Sequence, residues 1–232
     1  MALSRLLYIS FATLLVSSCL NASAAQQVVT PPAQTKASLQ PDAGSVSNNV
    51  YTNEFFRFSY AFPADWYAQS QKEQKQVAEE GHKAIHGENP EKSEEHQEAM
   101  KSTWTLFGAV KDLKAGPSGP SVQIVAFNLK GDPTFKNPAD VLSGIGEALK
   151  ARGAELVQKP TESSVAERKF FTMKMKIDNP DPAASPRTIY YAASMTVEQG
   201  YALAWFLFSD SPSSLQELLE GLNQVKFKNS AN

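Results

Sequence analysis

One cysteine and three histidines occur in 232 residues, and this scarcity removes several chemistries at once. The single cysteine, Cys19, lies in the N-terminal apolar run, so the rest of the chain has no disulfide and no thiol nucleophile. No serine sits in a Gly-x-Ser-x-Gly elbow, and Gly144-Ile145-Gly146 follows no strand and lacks the lysine of a phosphate loop. An excess of one charge is lacking too. The formal net charge of −2 becomes −3 once Arg5 leaves with a signal peptide, too weak a field to draw in nucleic acid. No apolar run reaches the roughly 18 to 20 residues of a membrane-spanning helix.

Against these absences stands an export signal. Arg5 is followed by an apolar stretch from Leu6 to about Leu20, and Ala22-Ser23-Ala24 is a small-x-small cleavage pattern, so residues 1–25 read as a signal peptide. Leu15-Val16-Ser17-Ser18-Cys19 competes with it as a bacterial lipobox, which would end the signal at residue 18 and leave a lipidated Cys19 as a membrane tether. Both alternatives place the mature protein outside the cytoplasm, in the periplasm or beyond, soluble or anchored as a lipoprotein. Residues 26–49, rich in Pro, Gln, Ser and Asn, are expected to be a flexible linker, because they cannot bury enough apolar surface to offset chain entropy.

A single domain is expected over residues 50–228. Phe56, Phe58, Tyr60 and Phe62 alternate as in a half-buried strand, as do Phe171, Met173, Met175 and Ile177, and Ile189, Tyr191, Ala193, Met195 and Val197. Residues 201–208 are apolar on both faces, which requires a central strand covered on both sides. Val122 to Leu129 argues the same way, and Gly116 to Pro120 is expected to join it to a strand at Trp104 to Val110. Gly200 is expected to supply the positive φ of the turn at 198–200, and Val225 to Phe227 to close the sheet. Asn137-Pro138 and Ser211-Pro212 each open an amphipathic helix, one with Val141, Ile145, Ala148 and Leu149 inward, the other with Leu215, Leu218, Leu219 and Leu222. Gly144 and Gly146 are expected to permit close helix-sheet packing.

Residues 69–101 differ from the rest. Eight glutamates and five lysines give this stretch a charge of −3, and Gly87 with Asn89-Pro90 divides it into two expected helices, 70–86 and 90–101. Its thin apolar stripe predicts a charged helical pair inserted between strands as a surface element. All three histidines lie here. His82 and His86 are four residues apart, with Glu79 one turn earlier, a spacing that can hold zinc on one helical face; a solvated helix also produces such a pair by accident. Lys83 stands where a zinc protease needs its glutamate.

The opening Tyr51-x-Asn53-x2-Phe56-x-Phe58-Ser59-Tyr60, followed by Phe62-Pro63-x2-Trp66, resembles the start of PsbP-like domains. The resemblance implies an α+β fold, a mainly antiparallel sheet flanked by helices on both faces, and accessory or binding proteins without a shared catalytic set. Arg57 stands where many members of that family carry glycine, and the charged helical pair is an addition to the minimal fold. The expectation is therefore a non-catalytic accessory or binding protein of the bacterial envelope, its partner an envelope protein or small ligand. The alternative is a small hydrolase using carboxylates or a metal at the charged helices. Trp66, Trp104 and Trp205 with Phe206 and Phe208 are either plain core or the lining of an apolar pocket.

Overall fold

The computed structural model describes residues 41–75, 103–112, 119–129, 137–178 and 188–228. Two antiparallel sheets are stacked. The larger has the order β4-β5-β6-β10-β9-β8-β7, formed by Tyr67–Ala68, Thr103–Val110, Ser121–Asn128, Tyr201–Ser209, Thr188–Glu198, Arg168–Asp178 and Glu155–Val165. The smaller has the order β1-β2-β3-β11, formed by Ser45–Ser47, Val50–Asn53, Phe58–Ala61 and Val225–Phe227. No helix among the described residues is long and apolar enough to cross a membrane.

Strand β10 explains the layering. All nine of its residues are buried. Ala202, Ala204, Phe206 and Phe208 face one apolar cluster, Leu203, Trp205 and Leu207 the other. A strand apolar on both sides is stable only when both sides are covered, and each large side chain so buried contributes about 1.5–3 kcal/mol. Helix α1 (Pro138–Lys150) covers the first face with Val141, Leu142, Ile145 and Leu149. Helix α2 (Pro212–Gly221) covers part of the second with Leu215 and Leu218. The fold is thus α+β with helices on both faces of an antiparallel sheet, as expected.

The second face also carries the small sheet, which was not expected. Val225–Phe227 does not close the large sheet but pairs with β3, Val225 opposite Tyr60 and Phe227 opposite Phe58. The reason is aromatic. Phe58 meets Trp205 edge-on at 5.4 Å between centroids, and Tyr51 stacks on Phe107 at 4.9 Å. Strands with one aromatic face and one polar face pack over a sheet rather than inside it.

Residues 41–49, inside the expected linker, are also tied into the fold. Asp42 ties the entering strand to the β2–β3 loop: its carboxylate accepts from the N–H groups of Gly44 at 2.6 Å and Phe55 at 3.2 Å, and its carbonyl accepts from Asn53 Nδ2 at 2.9 Å. Asn53, fully buried, also donates to the Tyr51 hydroxyl and accepts from the Phe56 N–H, each at 2.9 Å. The three bonds accepted by Asp42 offset part of the chain entropy that composition alone assigns to residues 41–49. A polar turn, Asn48-Asn49, then joins β1 to β2, with both residues at positive φ, a conformation asparagine tolerates.

Local signals for the helices hold. Asn137 Oδ1 accepts from the Asp140 N–H at 3.1 Å, and the Ser211 side chain accepts from the Ser214 N–H. A Cβ on Gly146 would come within 2.9 Å of the Met173 sulfur, so Gly146 does let the helix approach the sheet closely.

Candidate functional surface at the loop end

Glu79, His82, His86 and Cys19 lie outside the described residues, as does most of the charged stretch. Among the described residues no group of three His, Cys, Asp or Glu stands close enough to hold a metal ion. The aromatic pocket does not form as one site: Trp205 lies on one face of β10 and Phe206 with Phe208 on the other, all three buried in the two cores.

The root of the charged stretch is described, and it is built as a helix start. The Ser70 hydroxyl accepts from the Glu73 N–H at 3.3 Å, while the Glu73 carboxylate accepts from the Ser70 N–H at 2.7 Å, the Ser70 hydroxyl at 2.6 Å and the Tyr67 hydroxyl at 2.9 Å. This is a capping box, and residues 71–75 are helical behind it. Partial burial alone would raise Glu73, but the hydrogen bonds from Ser70 and Tyr67 outweigh it and hold the carboxyl below its usual range. Gln69 donates its N–H to the Gly108 carbonyl at 2.8 Å, and a Cβ on Gly108 would meet Gln69 Oε1 at 2.5 Å, so the stretch leaves from a fixed seat on β5.

Three connections meet at one end of the sandwich: the β2–β3 loop at residues 54–57, the β7–β8 turn and the β9–β10 turn. Each holds non-glycine residues on left-handed backbone: Arg57 at φ 54°, Ala166 at 47° with Glu167 at 64°, and Gln199 at 53° beside Gly200 at 81°. The expectation that Gly200 alone carries positive φ is therefore incomplete. Pairing of Glu198 with Tyr201 and of Val165 with Arg168 leaves two residues in each turn, and two-residue turns that match strand twist need positive φ at both. Side chains other than Gly, Asn or Asp adopt it at about 1 kcal/mol each.

These turns rest on a firm base. Gln199 Nε2 donates to the Phe55 carbonyl, and Phe55 and Trp104 each meet Tyr201 edge-on, at 5.7 and 5.6 Å. Arg168 Nε lies 3.3 Å from Glu198 Oε1, and its guanidinium stands over the Phe227 ring at 5.5 Å, joining the two sheets. Burial raises Glu198, and the Arg168 charge offsets that only in part. Lys228 donates its N–H to the Arg57 carbonyl at 2.7 Å and its ammonium to Glu54 at 2.8 Å. Glu54 and Glu198 are thus both held in ion pairs at this end. Sequence reasoning found only the turn at 198–200, through Gly200; glycine at the Arg57 position in the similar family was a signal it did not use, and Ala166-Glu167 carries no turn signature.

No family model matches the chain, and no curated protein matches it. Among solved structures the chain is similar to the solution structure of cyanobacterial PsbP (CyanoP) from Synechocystis sp. PCC 6803, at 11% identity over 82% of this chain and 99% of that one, with a TM-score of 0.48. That structure is of the kind the opening motif resembles, and at this identity the likeness is one of fold.

Proposed function

We propose that this chain is an exported, non-catalytic accessory protein of the bacterial cell envelope, binding a partner through the loop end of its sandwich. The observation that carries the reading is the placement of four non-glycine residues on left-handed backbone at that end, whereas the β1–β2 turn at the opposite end uses Asn48 and Asn49. Strained backbone that displays side chains, on a scaffold held by buried aromatics, is a common construction for recognition loops. Export is supported by Arg5, the short apolar run and the two processing patterns.

Cross-linking capture from envelope extracts tests it, comparing the protein with an Ala166→Asn, Glu167→Gly variant. The expected result is a variant that folds at least as stably but loses a partner held by the parent. An unchanged set of captured proteins would count against the loop end. Intact mass of the exported protein tests the compartment: a start at Ala25 or Gln26, or a diacylglyceryl group on Cys19, fits, whereas a cytosolic chain retaining Met1 refutes it.

A further inference from the structure

The small sheet turns a second face outward, and one corner of it is cationic. Register aligns Ser45, Thr52, Ser59 and Lys226 in one row across the four strands. Lys228 lies beyond Phe227 with its N–H on the Arg57 carbonyl, so Arg57, Lys226 and Lys228 converge where β3 begins and β11 ends, all three exposed. Glu54 is held by Lys228, with Nζ–O distances of 2.8 and 3.1 Å, and neutralises one of the three cations. Lys150, Arg168, Lys169 and Lys176 are each matched with a glutamate; Arg57 and Lys226, like Lys111 and Lys159 elsewhere on the surface, have no side-chain partner among the described residues. Arg57, moreover, is held on left-handed backbone by the neighbouring strand, so its guanidinium is presented from a fixed base.

We infer that Arg57, Lys226 and Lys228, with the adjacent hydroxyl of Ser59, form a docking site for a carboxylate-rich segment of a protein partner, an inference that rests on the loop-end reading above. Charge complementarity names the chemistry: a guanidinium takes a carboxylate in a forked pair, the Lys226 ammonium and the Ser59 hydroxyl beside it take further oxygens, and Lys228 is shared with Glu54. A bilayer is the weaker match. The outward residues of the sheet, Ser45, Ser47, Val50, Thr52, Ser59 and Ala61, include no aromatic or leucine-sized side chain to enter a headgroup layer, and one of the three cations is already paired.

Titration of the purified protein with a hexaglutamate peptide, followed by amide chemical shifts, tests the site, with phosphatidylglycerol vesicles as the second probe. Expected are shifts confined to residues near 57–59 and 226–228, affinity falling as salt rises, and at least a tenfold loss in the Arg57→Glu, Lys226→Glu variant. Lys174→Glu, Lys176→Glu, a charge reversal elsewhere, should change affinity less than twofold. Arg57→Gly removes the guanidinium without adding charge or strain, and should weaken binding while the protein stays folded. Equal loss in both charge-reversal variants, no shift at millimolar peptide, or binding to vesicles alone would overturn the assignment. Such a failure, with partner capture still lost in the Ala166→Asn, Glu167→Gly variant, would remove the cationic corner and leave the loop end standing.

Discussion

Gly146 of α1 and Met173 of β8 meet where there is no room for a methyl group, a Cβ on Gly146 falling 2.9 Å from the Met173 sulfur. Two effects of Gly146→Ala oppose each other. Alanine favours the helix by about 1 kcal/mol, but the fully buried Met173 has little space to yield and overpacking costs about 1–3 kcal/mol. The expected net result is a loss of about 1 kcal/mol, read as a melting temperature about 2–4 °C lower for a domain of this size. A rise would show that Met173 repacks freely.

Ala166 and Glu167 sit in the conformation that Asn-Gly adopts most readily. Ala166→Asn with Glu167→Gly is therefore expected to raise stability by about 1–2 kcal/mol, with an unchanged denaturant m-value. A destabilised variant would mean that the two side chains hold the turn in a way their backbone angles do not reveal.

Two buried polar side chains predict opposite outcomes. The Tyr191 hydroxyl is buried between the large sheet and α1 without a hydrogen-bond partner among the described residues, and burial drives its pKa upward. Tyr191→Phe should leave stability unchanged or raise it by about 1 kcal/mol, since an unpaired buried hydroxyl is a penalty. Asn53→Ala removes the bonds to Asp42, Tyr51 and Phe56 together, and is expected to cost about 3 kcal/mol. Chemical denaturation of the two variants side by side checks the contrast.

The same two sheets that meet at Trp205 show how far the chain could be read in advance. Period-two stripes identified β3, β8 and β9, and an unbroken apolar run identified β10, because each has a core on at least one side. Helix ends were legible at Asn137-Pro138 and Ser211-Pro212, where one side chain and one ring set the first turn. Strand β7 was not seen. It is an edge strand with mostly exposed side chains, interrupted at Pro160 and by two register shifts, features that blunt an edge and erase its apolar pattern. Strand β1 was missed for a related reason: it is three exposed residues held by the Asn48-Asn49 turn and the Asp42 bonds rather than by an apolar stripe. The loop end was legible only at Gly200, because left-handed backbone at Arg57, Ala166 and Gln199 is imposed by strand pairing, not by the residues themselves.

Acid should uncouple the two perturbed glutamates in opposite directions. Glu73 has a lowered folded pKa, so its contribution is fully present above the unfolded value and fades as pH falls through the folded one. The stability difference between the parent and Glu73→Gln should be constant above about pH 5 and shrink below about pH 4. Glu198 has a raised folded pKa, so the parent gains relative to Glu198→Gln as pH falls toward that value. Parallel slopes for the two variants would refute both assignments.

Residues 70–102 are expected to be dispensable for folding. The stretch leaves at Gln69, bonded to Gly108, and returns at Thr103 on the same strand, about 17 Å away at about 3.3 Å per residue. A Gly/Ser loop of about eight residues spans that distance. The shortened protein should unfold cooperatively, with a melting temperature lowered by at most about 10 °C on the scaling for a domain of this size. Loss of the cooperative transition would place the charged stretch in the core.

Pairing of β3 with β11 joins residues 58–60 to residues 225–227, near opposite ends of the domain. The small sheet therefore stays one strand short, with the ring of Phe58 lacking its neighbour Phe227, until nearly all of the domain has left the ribosome. A protein whose last layer closes only on completion remains unlocked throughout synthesis. On the export proposed above, that delay would be an advantage, because a chain that has not yet closed its last layer can still be threaded through a narrow pore and fold on the far side.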